Sequence, residues 1–187
     1  MLKSLNEVKN LKDPLKQFVS TWTFAFSPNS KAAGLFDSKD LELRCQSYGL
    51  PTLTGDQTEV TWGGFKRIYA GKQTRQGSWS VKFTEVWDAS IMEGFKKWMN
   101  VYNDYVNGHI SLISDYRADV NIMLVNPEVY DSEEVKEAYN IKLYDVFPTE
   151  ISLGGDINAS GSEPIEIGGT FNFNYFLMGD EIPNDAA

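Results

Sequence analysis

The strongest constraint on the fold lies between Trp79 and Gly108. Trp79, Val81 and Phe83 alternate with Ser80, Lys82 and Thr84, the period-two pattern of a strand with one buried face. A helix is predicted to follow, opened by Ser90 and Glu93 at capping-box spacing. Ile91, Phe95, Trp98, Met99, Tyr102 and Val106 recur every three or four residues and so share one helix face. Gly108 supplies a stop that takes left-handed backbone without steric cost. Strand face and helix stripe are predicted to be two halves of one aromatic core.

The chain has 187 residues, enough for one domain that buries roughly 70% of its unfolded surface. Its single cysteine, Cys45, cannot form an internal disulfide. No run of about 18 apolar residues and no basic-then-apolar leader are visible, which predicts a soluble protein made in the cytoplasm. A formal net charge of −9 and a pI near 4.6 argue against gripping nucleic acid through its phosphates. Acidity can serve solubility, or it can repel DNA that must pass by.

Taken in order, Ser4, Glu7 and the Leu2, Leu5, Val8, Leu11 spacing mark a short N-terminal helix, interrupted at Asp13-Pro14; too short to be stable alone, it reads as an arm or a frayed end. Trp22, Phe24 and Phe26 mark a first strand, Ser27 to Asp40 a connection, and Leu41, Leu43 and Cys45 a second strand with the thiol on its apolar side. Gly49-Leu50-Pro51 ends it. The stretch from Thr52 to Gly77, with Gly63-Gly64 at its middle, lacks interior periodicity and reads as a projecting hairpin or loop. Val120, Ile122 and Leu124 form a strand apolar on both faces, and Ser132 to Tyr139 a short charged helix. Ile141, Leu143 and Asp145 alternate with Lys142, Tyr144 and Val146; Phe171, Phe173 and Tyr175 alternate with Asn172 and Asn174. The tail from Gly179 is acidic and reads as loose. The division expected is an arm over residues 1–14, a β-domain over 15–178 and an acidic tail over 179–187.

Signals of chemistry are sparse. With one histidine, His109, and one cysteine there is no zinc set and no nucleophile–base pairing. Gly63-Gly64 and Gly168-Gly169 lack the lysine and spacing of a phosphate loop. The expectation is a protein that is not an enzyme, with no catalytic residue, cofactor or metal.

The order of landmarks carries more information than any one of them. An aromatic strand, a strand ending in Cys45 and Leu50-Pro51, a glycine-containing projection, the Trp79 to Phe83 strand, an Asp88-initiated helix holding Phe95 and Trp98, the Tyr144 to Ile151 run with Phe147-Pro148, and the Phe171 to Tyr175 strand follow one another. Over residues 15 to 178 this order resembles the tail tube proteins of contractile-tailed bacteriophages. The resemblance implies a mainly β (α+β) fold, an antiparallel β-sandwich or small barrel with one flanking α-helix, whose strands join a β-barrel shared among subunits. It further implies stacked hexameric rings inside a tail sheath, with baseplate, tail terminator and tape measure proteins as partners, genomic DNA transiently in the lumen, no membrane, and a place in the virion tail after assembly in the host cytoplasm. Related tubes occur in R-type pyocins and, more distantly, in type VI secretion.

Set on that frame, Glu42, Asn172 and Asn174, with Glu85 and Asp145, are expected to face a polar bore. Asp56, Glu59, Lys66, Arg67, Lys72 and Arg75 are expected in a ring-stacking loop, and Ile91, Phe95, Trp98, Met99 and Tyr102 on the core face of the helix. Two alternatives stay open: a baseplate protein of the same fold that initiates the tube, and a β-sandwich carbohydrate-binding module using exposed Trp and Tyr.

Overall fold

The computed structural model describes residues 19–28, 30–36, 38–85, 88–125, 137–152, 154 and 164–183. Among these, eleven strands run as β1 (Val19–Phe26), β2 (Cys45–Tyr48), β3 (Thr54–Trp62), β4 (Phe65–Thr74), β5 (Gly77–Thr84), β6 (Asn103–Asp104), β7 (His109–Ile110), β8 (Ala118–Val125), β9 (Glu137–Ser152), β10 (Glu166–Phe173) and β11 (Tyr175–Met178). Three helices, α1 (Ser38–Arg44), α2 (Ser90–Tyr102) and α3 (Ile113–Tyr116), lie between them. The main sheet runs β1-β8-β9-β10-β5-β2, with β11 also on β9, and every pairing in it is antiparallel.

This sheet folds over on itself because β9 belongs to both halves. Its first part pairs with β8 and β11, and its last part pairs with β10. Trp22 of β1 meets Trp79 and Phe83 of β5 at ring separations of 5.3 and 5.9 Å, while Phe24 meets Phe171 of β10 at 5.7 Å. Helix α2 closes the sandwich. Phe95 packs on Phe83 at 5.5 Å, and Trp98 on Phe24 at 5.2 Å and on Phe171 at 5.8 Å. The strand face and helix stripe are therefore one core, as their periodicity predicts. Near-perpendicular ring contacts recur in it, the arrangement that aromatic quadrupoles favour. Two buried indoles donate to main chain, Trp79 to Gly49 O at 2.9 Å and Trp98 to Tyr116 O at 2.6 Å, so their polar edges do not cost the fold an unpaired donor.

The ends of α2 differ from the expected ones. The residue before it, Ala89, sits at φ 52°, and Ser90 makes no side-chain cap. Asp88 Oδ1 accepts from Ser90 N at 3.2 Å and Glu85 Oε2 from Met92 N at 2.8 Å, so carboxylates cap this end. At the other end the helix stops at Tyr102 rather than continuing to Gly108. Asp104 accepts from the backbone of Val106 and Asn107 and from the Asn107 side chain, a local alternative to helical bonding. Val106 is consequently 86% exposed, and Gly108, at φ 66°, serves the β6–β7 turn.

Elsewhere, strict alternation misleads at three places, and one connection is more deeply placed than its composition suggests. Leu41 and Leu43 belong to helix α1, not a strand, and opposite burial follows: Leu41 is buried and Leu43 is 85% exposed. The Ser27 to Asp40 connection is no surface ornament, since Ala32 is buried and Phe36 lies 4.8 Å from Phe95. In β9, Asp145 takes φ 58°, so Val146 turns inward where alternation would place Asp145. The parallel break at Asn174 puts Phe176 rather than Tyr175 in the core. The expected N-terminal helix lies outside the described residues, as does most of the expected Ser132 to Tyr139 helix; Tyr139 itself is in β9.

Candidate functional site

Three surfaces stand out among the described residues. The first is the β3–β4 hairpin, which forms a two-stranded sheet of its own. Gly63 and Gly64, at φ 58° and 82°, make its two-residue turn, where both central residues need left-handed backbone. Gly71 and Lys72 of β4 together oppose the single Asp56 of β3, a bulge in β4, and Gly71 leaves room for it: a Cβ at Gly71 would stand 2.9 Å from Asp56 O. Nine residues of β3 span about 30 Å, so the arm reaches well away from the sandwich.

Cross-strand register assigns the hairpin two unlike faces. The pairs Trp62–Phe65, Val60–Arg67 and Thr58–Tyr69 share one face; Thr61–Lys66, Glu59–Ile68 and Gln57–Ala70 share the other. Trp62 and Phe65 are 87% and 79% exposed, with Val60 and Tyr69 about half exposed beside them. On the second face Lys66 and Glu59 form an ion pair at 2.6 Å. Asp56, Glu59, Lys66, Arg67 and Lys72 of the expected loop set all lie on this hairpin. Arg75 stands at its base instead, donating 2.8 Å to Glu181 Oε1, to the other Glu181 oxygen, and to Phe176 O. That fork holds the Glu181 carboxyl below its ordinary range, and it orders the start of the tail, where Gly179–Glu181 forms a 3₁₀ turn.

The second surface is the outer side of the four strands β9 (its last part), β10, β5 and β2. Ser78, Ser80, Lys82, Thr170, Asn172 and Glu150 point away from the core there, and Lys82 approaches Glu166 at 3.9 Å. Two margins of this sheet, β2 and the last part of β9, have no strand beyond them among the described residues. Unpaired edges of this kind are templates for a further chain.

The five residues expected at a bore do not share one surface. Asn172 is on the polar face just described. Asp145 and Asn174 bond each other at the bend in β9, and Glu42 lies on α1. The Glu85 side chain is only 7% exposed and engaged at the α2 N-terminus, with Arg44 of α1 at 3.8 Å. Arg44 also donates 2.9 Å to Ser90 Oγ and pairs with Asp40 at 2.8 Å, joining the two helices. Of the expected helix face, Ile91, Phe95 and Trp98 are buried, whereas Met99 and Tyr102 are half-buried.

Those two residues help line the third surface, a groove of about 560 Å³ bounded by Met92, Met99, Tyr102, Tyr105 and Ile151, with Glu93 and Lys96 among its polar lining. Beside it the β6–β7 loop exposes Tyr105, Val106 and Ile110. The hairpin's two-faced character and this groove were missed in the sequence, although Thr58-Val60-Trp62 and Phe65-Arg67-Tyr69 alternate around Gly63-Gly64 and carry the signal.

Among the described residues no three His, Cys, Asp or Glu side chains gather as metal ligands, and no helix is long and apolar enough to cross a membrane. Burial pushes the Cys45 thiol up, away from thiolate chemistry.

These features define a class: an antiparallel β-sandwich with a projecting two-stranded arm and, among the described residues, sheet margins with no strand beyond them. The chain belongs to the phage tail tube protein family, whose model matches residues 11–178. Solved structures share the fold at low identity. A chain from the sheath–tube complex of PVC, an extracellular contractile injection system, in its extended state superposes with a TM-score of 0.58 at 14% identity, covering 95% of this chain and 99% of that one. One from the PVC sheath/tube terminator gives 0.57 at 13%, covering 91% and 98%. One from the anti-feeding prophage tube-terminating cap gives 0.56 at 15%, covering 91% and 92%. No curated protein matches the chain in sequence.

Proposed function

We propose that this chain is the repeating subunit of a contractile tail's inner tube. Six copies close into a ring, each joining its neighbours through the free margins of β2 and the last part of β9. Closure of this kind removes both of those open edges. Rings then stack through the β3–β4 hairpin, with Asp56, Glu59, Lys66, Arg67 and Lys72 on the contact. The outer face of the β9-β10-β5-β2 sheet lines the bore. The observation that carries this reading is the combination of a family match over residues 11–178 with a β9-β10-β5-β2 sheet that has, among the described residues, no strand beyond either margin.

A bore surfaced by Ser78, Ser80, Thr170 and Asn172, with Lys82 set against Glu166 and Glu150 across from Thr170, offers phosphates few cationic partners. At physiological salt, charge effects fade over about 8 Å. DNA and the tape measure protein pass without adhering. The sheath surrounds the tube, and baseplate and terminator proteins bound its ends, within the virion tail after assembly in the host cytoplasm. No step is catalytic.

Negative-stain microscopy of the purified chain across a concentration series, and of particles that contain it, is expected to show annular rings or hollow tubes. A protein that stays monomeric at every concentration and is missing from tail tubes would overturn the reading.

A further inference from the structure

We propose that the Trp62–Phe65 face of the hairpin seats in the α2 groove of a copy in the adjacent ring. This rests on the tube reading and names the acceptor for its stacking arm. Among the described residues the hairpin's Trp62 face and the α2 groove both present apolar side chains to solvent, and their chemistry matches. The donor presents Trp62, Phe65, Val60 and Tyr69. The acceptor offers Met92 and Met99 among Tyr102, Tyr105 and Ile151; flexible thioethers adapt to an incoming ring and contact it favourably.

The occupant is a second copy for two reasons. Every hairpin residue from Thr54 to Gln73 is exposed, so the arm does not lie on its own sandwich. Charge points the same way: the hairpin holds Lys66, Arg67 and Lys72 against Asp56 and Glu59, a net +1, in a chain of −9. A slightly cationic arm is attracted to an acidic body. Four apolar side chains make a small contact beside the roughly 800 Å² per partner of a standard interface. A lone pair of copies therefore holds weakly, whereas a ring presenting several arms at once holds firmly.

The test places a photo-crosslinking benzoylphenylalanine at position 65 and assembles it with isotope-labelled chain. Mass spectrometry is expected to find adducts from position 65 to peptides containing Met92, Met99 or Tyr105 of a different copy. Adducts confined to other segments of the chain, or to sheath protein in whole particles, overturn the groove assignment and leave the tube reading standing. Two variants provide an independent readout: Trp62→Ser with Phe65→Ser, and Met99→Glu. Each is expected to keep rings and a normal melting temperature while losing stacked tubes. Stacking retained by both overturns the proposal, and failure of the parent chain to form rings overturns the tube reading with it.

Discussion

Asn174 donates its side-chain amide to Asp145 Oδ2 at 2.8 Å, joining the positive-φ bend in β9 to the break between β10 and β11. Asn174 N also donates to Tyr144 O at 3.1 Å, and Asp145 pairs with Arg117 at 3.0 Å. The two irregularities face each other. They let adjacent strands bend together and pass from one side of the sandwich to the other.

At φ 58° an ordinary L-residue carries about 1–2 kcal/mol of strain, which Asp and Asn bear better than others. Asp145→Asn keeps the backbone and an acceptor for Asn174, and is expected to cost under about 1 kcal/mol. Asp145→Val loses the Asn174 and Arg117 partners and adds β-branching at positive φ, for an expected cost of about 2–3 kcal/mol. Urea unfolding of both variants checks the order.

Phe171 stands at the centre of the core, with Phe24, Trp79, Phe95 and Trp98 all within 5.8 Å of its ring. Phe171→Ala is expected to cost about 3–5 kcal/mol, through lost transfer energy and a cavity the surrounding rings cannot close. Phe171→Leu should cost less. The same unfolding measurement reads both, and an exposed control such as Trp62→Ala is expected to stay within about 0.5 kcal/mol of the parent.

Glycine inside α2 costs roughly 1 kcal/mol of helix propensity against alanine, yet Gly94 is buried there under Phe36. A Cβ at that position would meet the Phe36 ring at 2.3 Å. Overpacking of this kind typically costs about 1–3 kcal/mol, which outweighs the propensity gain. Gly94→Ala is therefore expected to lower the melting temperature, and pairing it with Phe36→Leu to restore part of the loss.

The Glu181 carboxyl is depressed chiefly by its Arg75 hydrogen bonds. A folded value below the unfolded one means the fork is fully present above the ordinary carboxylate range and is lost as the pH falls through the depressed value. Hydrogen exchange at Met178 N, which donates to Glu181 Oε2 at 3.4 Å, is expected to show less protection in acid than at neutral pH, beyond the intrinsic change in rate. Glu181→Gln should flatten that dependence.

Elements with unbroken periodicity were legible in the sequence, the Trp79 to Phe83 strand and the Ile91 to Trp98 stripe, and the Gly63-Gly64 projection was legible from its lack of an interior face. What escaped has local physical causes. Leu41 and Leu43 fit a strand pattern as short runs often do, but the Arg44 pairing with Asp40 and its bond to Ser90 belong to a helix that docks on α2. Asp145 and Asn174 reverse the alternation through single backbone departures that no hydrophobic pattern records. Of the candidate contact surfaces, the arm was visible as a projection, while its division into an aromatic and a polar face needed the register of Val60 with Arg67 and Glu59 with Ile68. Glu85, expected at a polar bore, instead caps the start of α2. Its role at a helix start depends on where Met92 comes to rest.

Because β9 is covalently one strand through both halves of the sandwich, those halves cannot slide past each other without stretching main chain. A thrust delivered along this strand is carried by peptide bonds, and only transverse loads fall on the weaker ladder between neighbours. Stiffness between the two halves is thus built into the path of the backbone, as a tie rod is built into a frame.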